Sequence, residues 1–232
     1  MSKITATTRN SDAKMMAWDT EFWGVRVGRA TSLDGLSQWA IDNTVGLVCL
    51  LVDANETAEI QDAEERGFRF MDVRVTLSRP TIPIANDCRV AQEDDVGKLV
   101  AIARTAFPLT RFYADPSLDD GRCGDLYAEW TRSLCVGAAD AVLVAEADGL
   151  VVGYVTVNVD DDTSEIGLIA VADDWRGQGV GTRLVLAAVD FAHSRGGRLM
   201  TVVTQGRNVG ALRTFEGCGF RVTYTSLWFH RR

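Results

Sequence analysis

The sequence predicts an α/β (α+β) fold in two parts, and three observations carry that expectation. Strand-like and helix-like stretches alternate through residues 24–77. Two β-branched runs, residues 141–146 and 151–159, are joined by Ala147-Asp148-Gly149, whose Asp-Gly pair is a strong hairpin signal. Pro80 and Pro83 bracket a stretch that suits neither a central strand nor a helix, because proline lacks an N–H and fixes φ. The chain is therefore expected to divide near residues 80–87, into a smaller N-terminal α/β domain of residues 1–83 and a larger domain of residues 84–232.

In the first part, residues 24–30, 45–52 and 68–77 read as strands, and residues 33–41 and 56–66 as helices. In the second, residues 91–107 carry Val96, Leu99, Val100, Ile102 and Ala103 at helical spacing behind Gln92-Glu93-Asp94, whose acidic charges favour a helix start. Residues 110–116 read as a loop and residues 126–136 as the next helix. After the hairpin, Asp160-Asp161-Asp162 turns the chain into a strand over residues 165–171. Residues 182–195 read as a helix with Leu184, Val185, Ala188, Phe191 and Ala192 on one face, ended by Gly196-Gly197. A strand over 199–204, a helix over 208–216 and a strand over 221–229 complete the order.

A length of 232 residues with 47% hydrophobic and 24% charged side chains is the make-up of an ordinary soluble globular protein. The net charge of −8 argues against a general nucleic-acid surface, which needs clustered Lys and Arg, so an anionic ligand must be held locally by backbone amides and a few arginines. Five cysteines, odd in number and without a CxxC pair, point to reduced thiols and to no metal site. Residues 1–10 lack the apolar run of a signal peptide, and no apolar run of about 18 residues exists to span a bilayer. A cytoplasmic protein with no membrane partner is expected.

The informative stretch is the strand ending Ile169-Ala170-Val171, followed by Arg176-Gly177-Gln178-Gly179-Val180-Gly181 and a helix that begins near Thr182. Glycines at alternate positions let the backbone approach a ligand and turn its N–H groups toward one point, while the helix adds unpaired amides and the positive end of its dipole. That arrangement suits a pyrophosphate. The spacing GxGxG is not the dinucleotide fingerprint GxGxxG, and no phosphate-loop Gly-Lys-Ser/Thr follows. A plain glycine-rich turn with no ligand is the competing interpretation of the loop taken alone.

Within its context the loop resembles the acetyl-CoA signature of the GNAT superfamily, Gln/Arg-x-x-Gly-x-Gly/Ala, with Arg176, Gly179 and Gly181 at the fixed positions. Residues 208–220, from Asn208 through Ala211 and Phe215 to Gly219-Phe220, are similar to that family's Asn-x-x-Ala-x-x-x-Tyr-x-x-x-Gly-Phe helix. The resemblance implies a mixed, mostly antiparallel central sheet flanked by helices, and acetyl-CoA as acyl donor. It further implies a strand that splays from its neighbour so that Ile169, Ala170 and Val171 pair with the pantetheine arm. Arg176, Gly177, Gln178, Gly179, Val180, Gly181 and Thr182 would hold the diphosphate, with Asn208 and Ala211 on the second element. Asn208 also suits plain helix capping.

One position departs from the family pattern. Phe215 stands where the superfamily commonly has the tyrosine that protonates the leaving thiolate. A thiol of reference pKa about 8.5 leaves as thiolate near neutral pH at a cost of roughly 1–2 kcal/mol, so the loss is tolerable. Tyr224 is the alternative acid, or a structural tyrosine. Glu165, on the strand before the loop, falls where some members place a general base, or is a solvated carboxylate.

Over nearly the whole chain, the order of Trp18 to Val25, Arg111-Phe112, Tyr127 to Trp130, Thr204 to Asn208 and Trp228 resembles the bacterial TDP-amino-sugar N-acetyltransferases. That resemblance implies a nucleotide-linked amino sugar as acceptor and a homodimer. Arg111, Phe112 and Tyr113 offer a guanidinium for a pyrophosphate and rings for a thymine, or are anchors of an ordinary surface loop. A GNAT enzyme for another small amine or a peptide amine, and a non-catalytic acyl-CoA-binding domain, remain open alternatives.

Overall fold

The computed structural model describes residues 12–232; residues 1–10, which lack a signal-peptide pattern, lie outside the described residues. The chain forms two compact units, one of residues up to Val73 with Thr225–Arg232, the other Arg74–Tyr224. At residues 80–87, where the sequence places its division, the chain has already entered the second unit. Pro80 is the last residue of strand β4 (Arg69–Pro80), a place where its missing N–H interrupts no further pairing.

In the first unit, β1 (Lys14–Met15) pairs antiparallel with β2 (Val27–Ala30), which runs parallel to β3 (Leu47–Asp53). The end of β10 (Arg221–Arg231) pairs antiparallel with β3 from Ser226 to Arg231. Strand β3 is buried along nearly its whole length, as expected of a strand covered on both faces. Leu36 from α2 (Leu36–Asp42), Ala63 from α3 (Thr57–Glu65), Leu50, Val52, Phe68 and Phe229 make the core. Helix α1 (Ala17–Trp23) is absent from the sequence expectations: Gly24, at φ 68°, ends it by donating to Thr20 O at 3.0 Å. The strand expected from residue 24 therefore starts at Val27.

The second unit carries strands in the order β4, β9 (Leu199–Gln205), β8 (Thr163–Val171), β7 (Leu150–Asp160), β6 (Ala141–Ala147) and β5 (Arg89–Val90). Only β8 and β9 pair in parallel, so the sheet is mixed and mostly antiparallel, as the family resemblance implies. The β6–β7 turn has Asp148 at φ 51° and Gly149 at φ 73°, the left-handed pair that a type I′ hairpin needs. Successive residues of β7 point to opposite faces. A Cβ on Gly153 would lie 3.0 Å from Leu184 of α7 (Val180–Ser194), whereas the next residue, Tyr154, bonds Thr131 of α6 (Asp120–Ser133) at 2.7 Å. Helices α7 and α6 thus cover opposite faces. Leu184, Val185, Ala188 and Ala192 of α7 are all fully buried, at about 1.5–3 kcal/mol for each of the larger two.

In the second unit, the helices between residues 91 and 136 differ from expectation. The helix expected over 91–107 is a 3₁₀ turn (Glu93–Asp95) followed by α4 (Val96–Ala106), because Gln92 and Asp95 form a reciprocal capping box. Helix α6 begins at Asp120 rather than 126, where the Asp119 side chain caps the amide of Arg122. Residues 110–116 hold the one-turn helix α5 (Arg111–Ala114) instead of an open loop.

Candidate functional site

The site begins at a bulge. Val155 pairs with Ile169 and Val157 with Ile166, so Gly167 and Leu168 of β8 stand opposite the single residue Thr156 of β7. Thr156 is fully buried, and its Oγ1 accepts from the Leu168 amide at 2.8 Å. A Cβ at Gly167 would come within 2.9 Å of that oxygen, so glycine is required by space. A bulge bends its strand. The parallel pairing of β8 with β9 accordingly stops at Ile166 and Val202, while Val203, Thr204 and Gln205 continue to pair with β4 on their other side. From Gly167 to Val171 the edge of β8 that faces β9 has no ladder partner among the described residues. Ile169, Ala170 and Val171 keep their pairing to β7 opposite Val155, Tyr154 and Gly153.

Beyond the strand the chain folds on itself in a 3₁₀ turn (Asp173–Trp175). The Arg176 guanidinium donates to Val171 O at 3.2 Å and pairs with Asp173 at 2.8 Å, and Gln178 Nε2 donates to Asp174 O at 2.8 Å. Both side chains therefore shape the loop. Gly177 (φ 75°) and Gly179 (φ 82°) adopt the left-handed conformation, with open space where a Cβ would sit. Helix α7 starts at Val180, and its first helical bond runs from the Arg183 amide to Gly179 O at 3.1 Å. The amides of Gly177 to Thr182 donate to nothing among the described residues. A run of unpaired amides at a helix start beside two side-chain-free positions fits an anionic diphosphate.

Helix α8 (Val209–Gly217) closes the other side. Asn208 caps it, its Oδ1 accepting from the Ala211 amide at 3.1 Å, so the capping role foreseen for Asn208 is present. Burial pushes the pKa of the Cys218 thiol up, and a Cβ on Gly181 would be 3.7 Å from Thr214 Cγ2. Helices α7 and α8 are thus adjacent at the loop. Phe215 is only 2% exposed and packs on Phe220 with ring centroids 5.8 Å apart. Its ring is a core group rather than the lining of an open groove.

Glu165 is exposed on β8, opposite Asn158 of β7 and Thr201 of β9, on the face that carries Tyr154 and Thr156. Tyr224, 42% exposed, lies on β10. His193 is exposed near the end of α7, and His230 is buried opposite Cys49 in the first unit. Arg111, Phe112 and Tyr113 form most of α5. Phe112 is 1% exposed, covered by the Arg111 guanidinium at 4.2 Å and edge-on to Tyr127 and Trp130. Its faces are taken, so it has none to offer a thymine; Tyr113 and Arg111 are partly exposed. Sequence reasoning missed Thr156, although a lone glycine inside a strand pattern is the signal of a bulge. A separate groove of about 410 Å³ between Gln92, Val96, Leu134, Val136 and Ala141 includes none of the loop residues. No described helix is long and apolar enough to cross a membrane.

A model of the acetyltransferase (GNAT) family matches residues 91–220. A dTDP-fucosamine acetyltransferase of Escherichia coli O6:H1 is 29% identical over 228 residues, covering 93% of this chain and 96% of that protein. The spore coat polysaccharide biosynthesis protein SpsD of Bacillus subtilis is 29% identical over 136 residues, 59% of this chain and 47% of that protein. Among solved structures, a GCN5-related N-acetyltransferase from Kribbella flavida matches with a TM-score of 0.65 at 15% identity, over 96% of this chain and 87% of that one. A second, from Sphaerobacter thermophilus, has a TM-score of 0.64 at 16% identity, over 94% and 75%. At such identity the likeness concerns the fold.

Proposed function

Because the chain belongs to the acetyltransferase (GNAT) family and is an acyl-CoA-dependent N-acyltransferase, we propose that it moves an acetyl group from acetyl-CoA to the amine of a TDP-linked amino-deoxy sugar. The observation that carries the donor half is the break in the β8–β9 ladder after Ile166 beside the unpaired amides of Gly177 to Thr182. The acceptor half is supported by the relation to a dTDP-fucosamine acetyltransferase over 93% of the chain.

In this reading the thioester supplies an activated acyl group, and the protein supplies placement. Amides from Gly177 to Thr182 hold the diphosphate, and the free edge of Ile169 to Val171 bonds the amides of the pantetheine arm. Holding both reactants in line makes the transfer effectively unimolecular. The acceptor nitrogen attacks the acyl carbon directly: a C–N bond forms, the C–S bond breaks, and the ammonium proton passes to Glu165 or to water. Phe215 donates no proton. The thiolate leaves unassisted, or takes one from water or from Tyr224.

The deciding experiment mixes the protein with acetyl-CoA and a panel of TDP-amino sugars and follows free thiol. Thiol release that depends on both substrates supports the proposal. Release with simple amines or peptides, and no TDP binding by calorimetry, replaces the acceptor; binding of acetyl-CoA without release with any amine makes the chain a non-catalytic binder.

A further inference from the structure

Residues 81–88 have no regular secondary structure, yet they are fastened along α7 from its end to its beginning. Thr81 donates its hydroxyl to Gly197 O and its amide to Arg198 O at 2.9 Å, just past the helix. Further along, the Ile84 amide and the Asn86 side-chain amide donate to the two carboxylate oxygens of Asp190, at 2.9 and 3.0 Å. Asp87 then takes the Arg183 guanidinium with both oxygens, at 3.1 and 2.7 Å, and Arg183 also donates to Glu146 O at 3.1 Å. Arg183 and Asp190 are seven residues apart, so both stand on one stripe of the helix, under the strap.

Arg183 is also the residue whose amide closes the first helical bond, onto Gly179 O. Neither Gly177 nor Gly179 has a side chain to fix the loop, and neither meets anything where a Cβ would be. Arg176 and Gln178 brace the loop against the residues before it, so the orientation of the unpaired amides on the helix side depends on what holds the first turn. We propose that residues 81–88 form a strap that sets this turn, with Asp87 acting through Arg183 and with Asp190, as positioning residues for the diphosphate. The inference rests on the donor site proposed above.

A sign separates positioning from simple electrostatics. Asp87→Asn and Asp190→Ala each remove a negative charge from the neighbourhood of an anionic ligand, so charge alone predicts tighter acetyl-CoA binding. Positioning predicts the reverse. Both variants should raise the calorimetric Kd and the KM for acetyl-CoA by about three- to tenfold, with kcat at saturating donor held within about twofold. The KM for acetyl-pantetheine, which lacks the diphosphate, should not move, and Asp87→Glu should restore part of the loss. Tighter or unchanged acetyl-CoA binding in the folded variants, or an equal rise in KM for both donors, overturns the proposal. Wild-type protein that fails to bind acetyl-CoA overturns the donor site itself.

Discussion

The amide of Leu168 donates to Thr156 Oγ1 at 2.8 Å, and this one bond holds the bulge at which β8 parts from β9. Thr156→Val keeps the shape and removes the acceptor, leaving a half-buried amide unpaired at a cost of about 1–3 kcal/mol. Thermal unfolding should record that loss, and the KM for acetyl-CoA should rise because the free edge of β8 is no longer fixed. An unaltered Tm and KM would mean that the bulge is set elsewhere.

Gly181 has room for a side chain, with its nearest neighbour Thr214 Cγ2 3.7 Å from a Cβ, so Gly181→Asp should fold. The new carboxylate would face the amides that are to hold a diphosphate, and acetyl-CoA affinity should fall at least about tenfold. Gly179→Asp adds about 1–2 kcal/mol of backbone strain, because Gly179 is at φ 82°. Circular dichroism and calorimetry on both variants check the placement; wild-type affinity in either would remove the loop from the donor site.

Glu165→Gln should lower kcat by about 10²- to 10⁴-fold if the carboxylate takes the amine proton, with the Kd for acetyl-CoA unchanged. A kcat near wild type assigns the proton to water.

Phe215 is buried against Phe220, so Phe215→Tyr should place a hydroxyl in the core and cost about 1–3 kcal/mol without raising kcat. Should kcat instead rise tenfold, the ring tip reaches the departing sulfur after all.

The Arg89 guanidinium, bonded to Asp95 at 2.6 and 3.0 Å, holds that carboxyl below the usual carboxylate range. A depressed carboxylate contributes stability that is fully present above its unfolded pKa of about 3.9 and is lost as pH falls through the lower folded value. Between pH 7 and 5 the contribution of Asp95 should therefore be flat, and it should decay below about pH 4. Asp95→Asn, which also weakens the cap of the turn before α4, should lower Tm at pH 7 and remove that acid-side slope.

Much of the site was legible because its signals are local. The left-handed glycines at 177 and 179, the helix that follows them, the Asn208 cap and the Asp148-Gly149 hairpin each depend on the backbone needs of a few neighbouring residues. No helix is expected over residues 17–23, although Gly24, left-handed at φ 68°, marks the end of α1. The loop expected at 110–116 is a helix because Phe112 has somewhere to pack, on Tyr127 and Trp130 of α6, which no spacing within the loop announces.

By itself the sequence determined where the glycine loop lies, what precedes and follows it, and which signature it carries, because helix starts, caps and tight turns are written in consecutive residues. Only the tertiary structure decided that β8 leaves β9 after Ile166, that Phe215 is sealed in the core, and that a stretch without secondary structure fastens α7. Those outcomes turn on pairings between residues tens of positions apart. Their register is chosen by the packing of the whole unit, not by any segment alone.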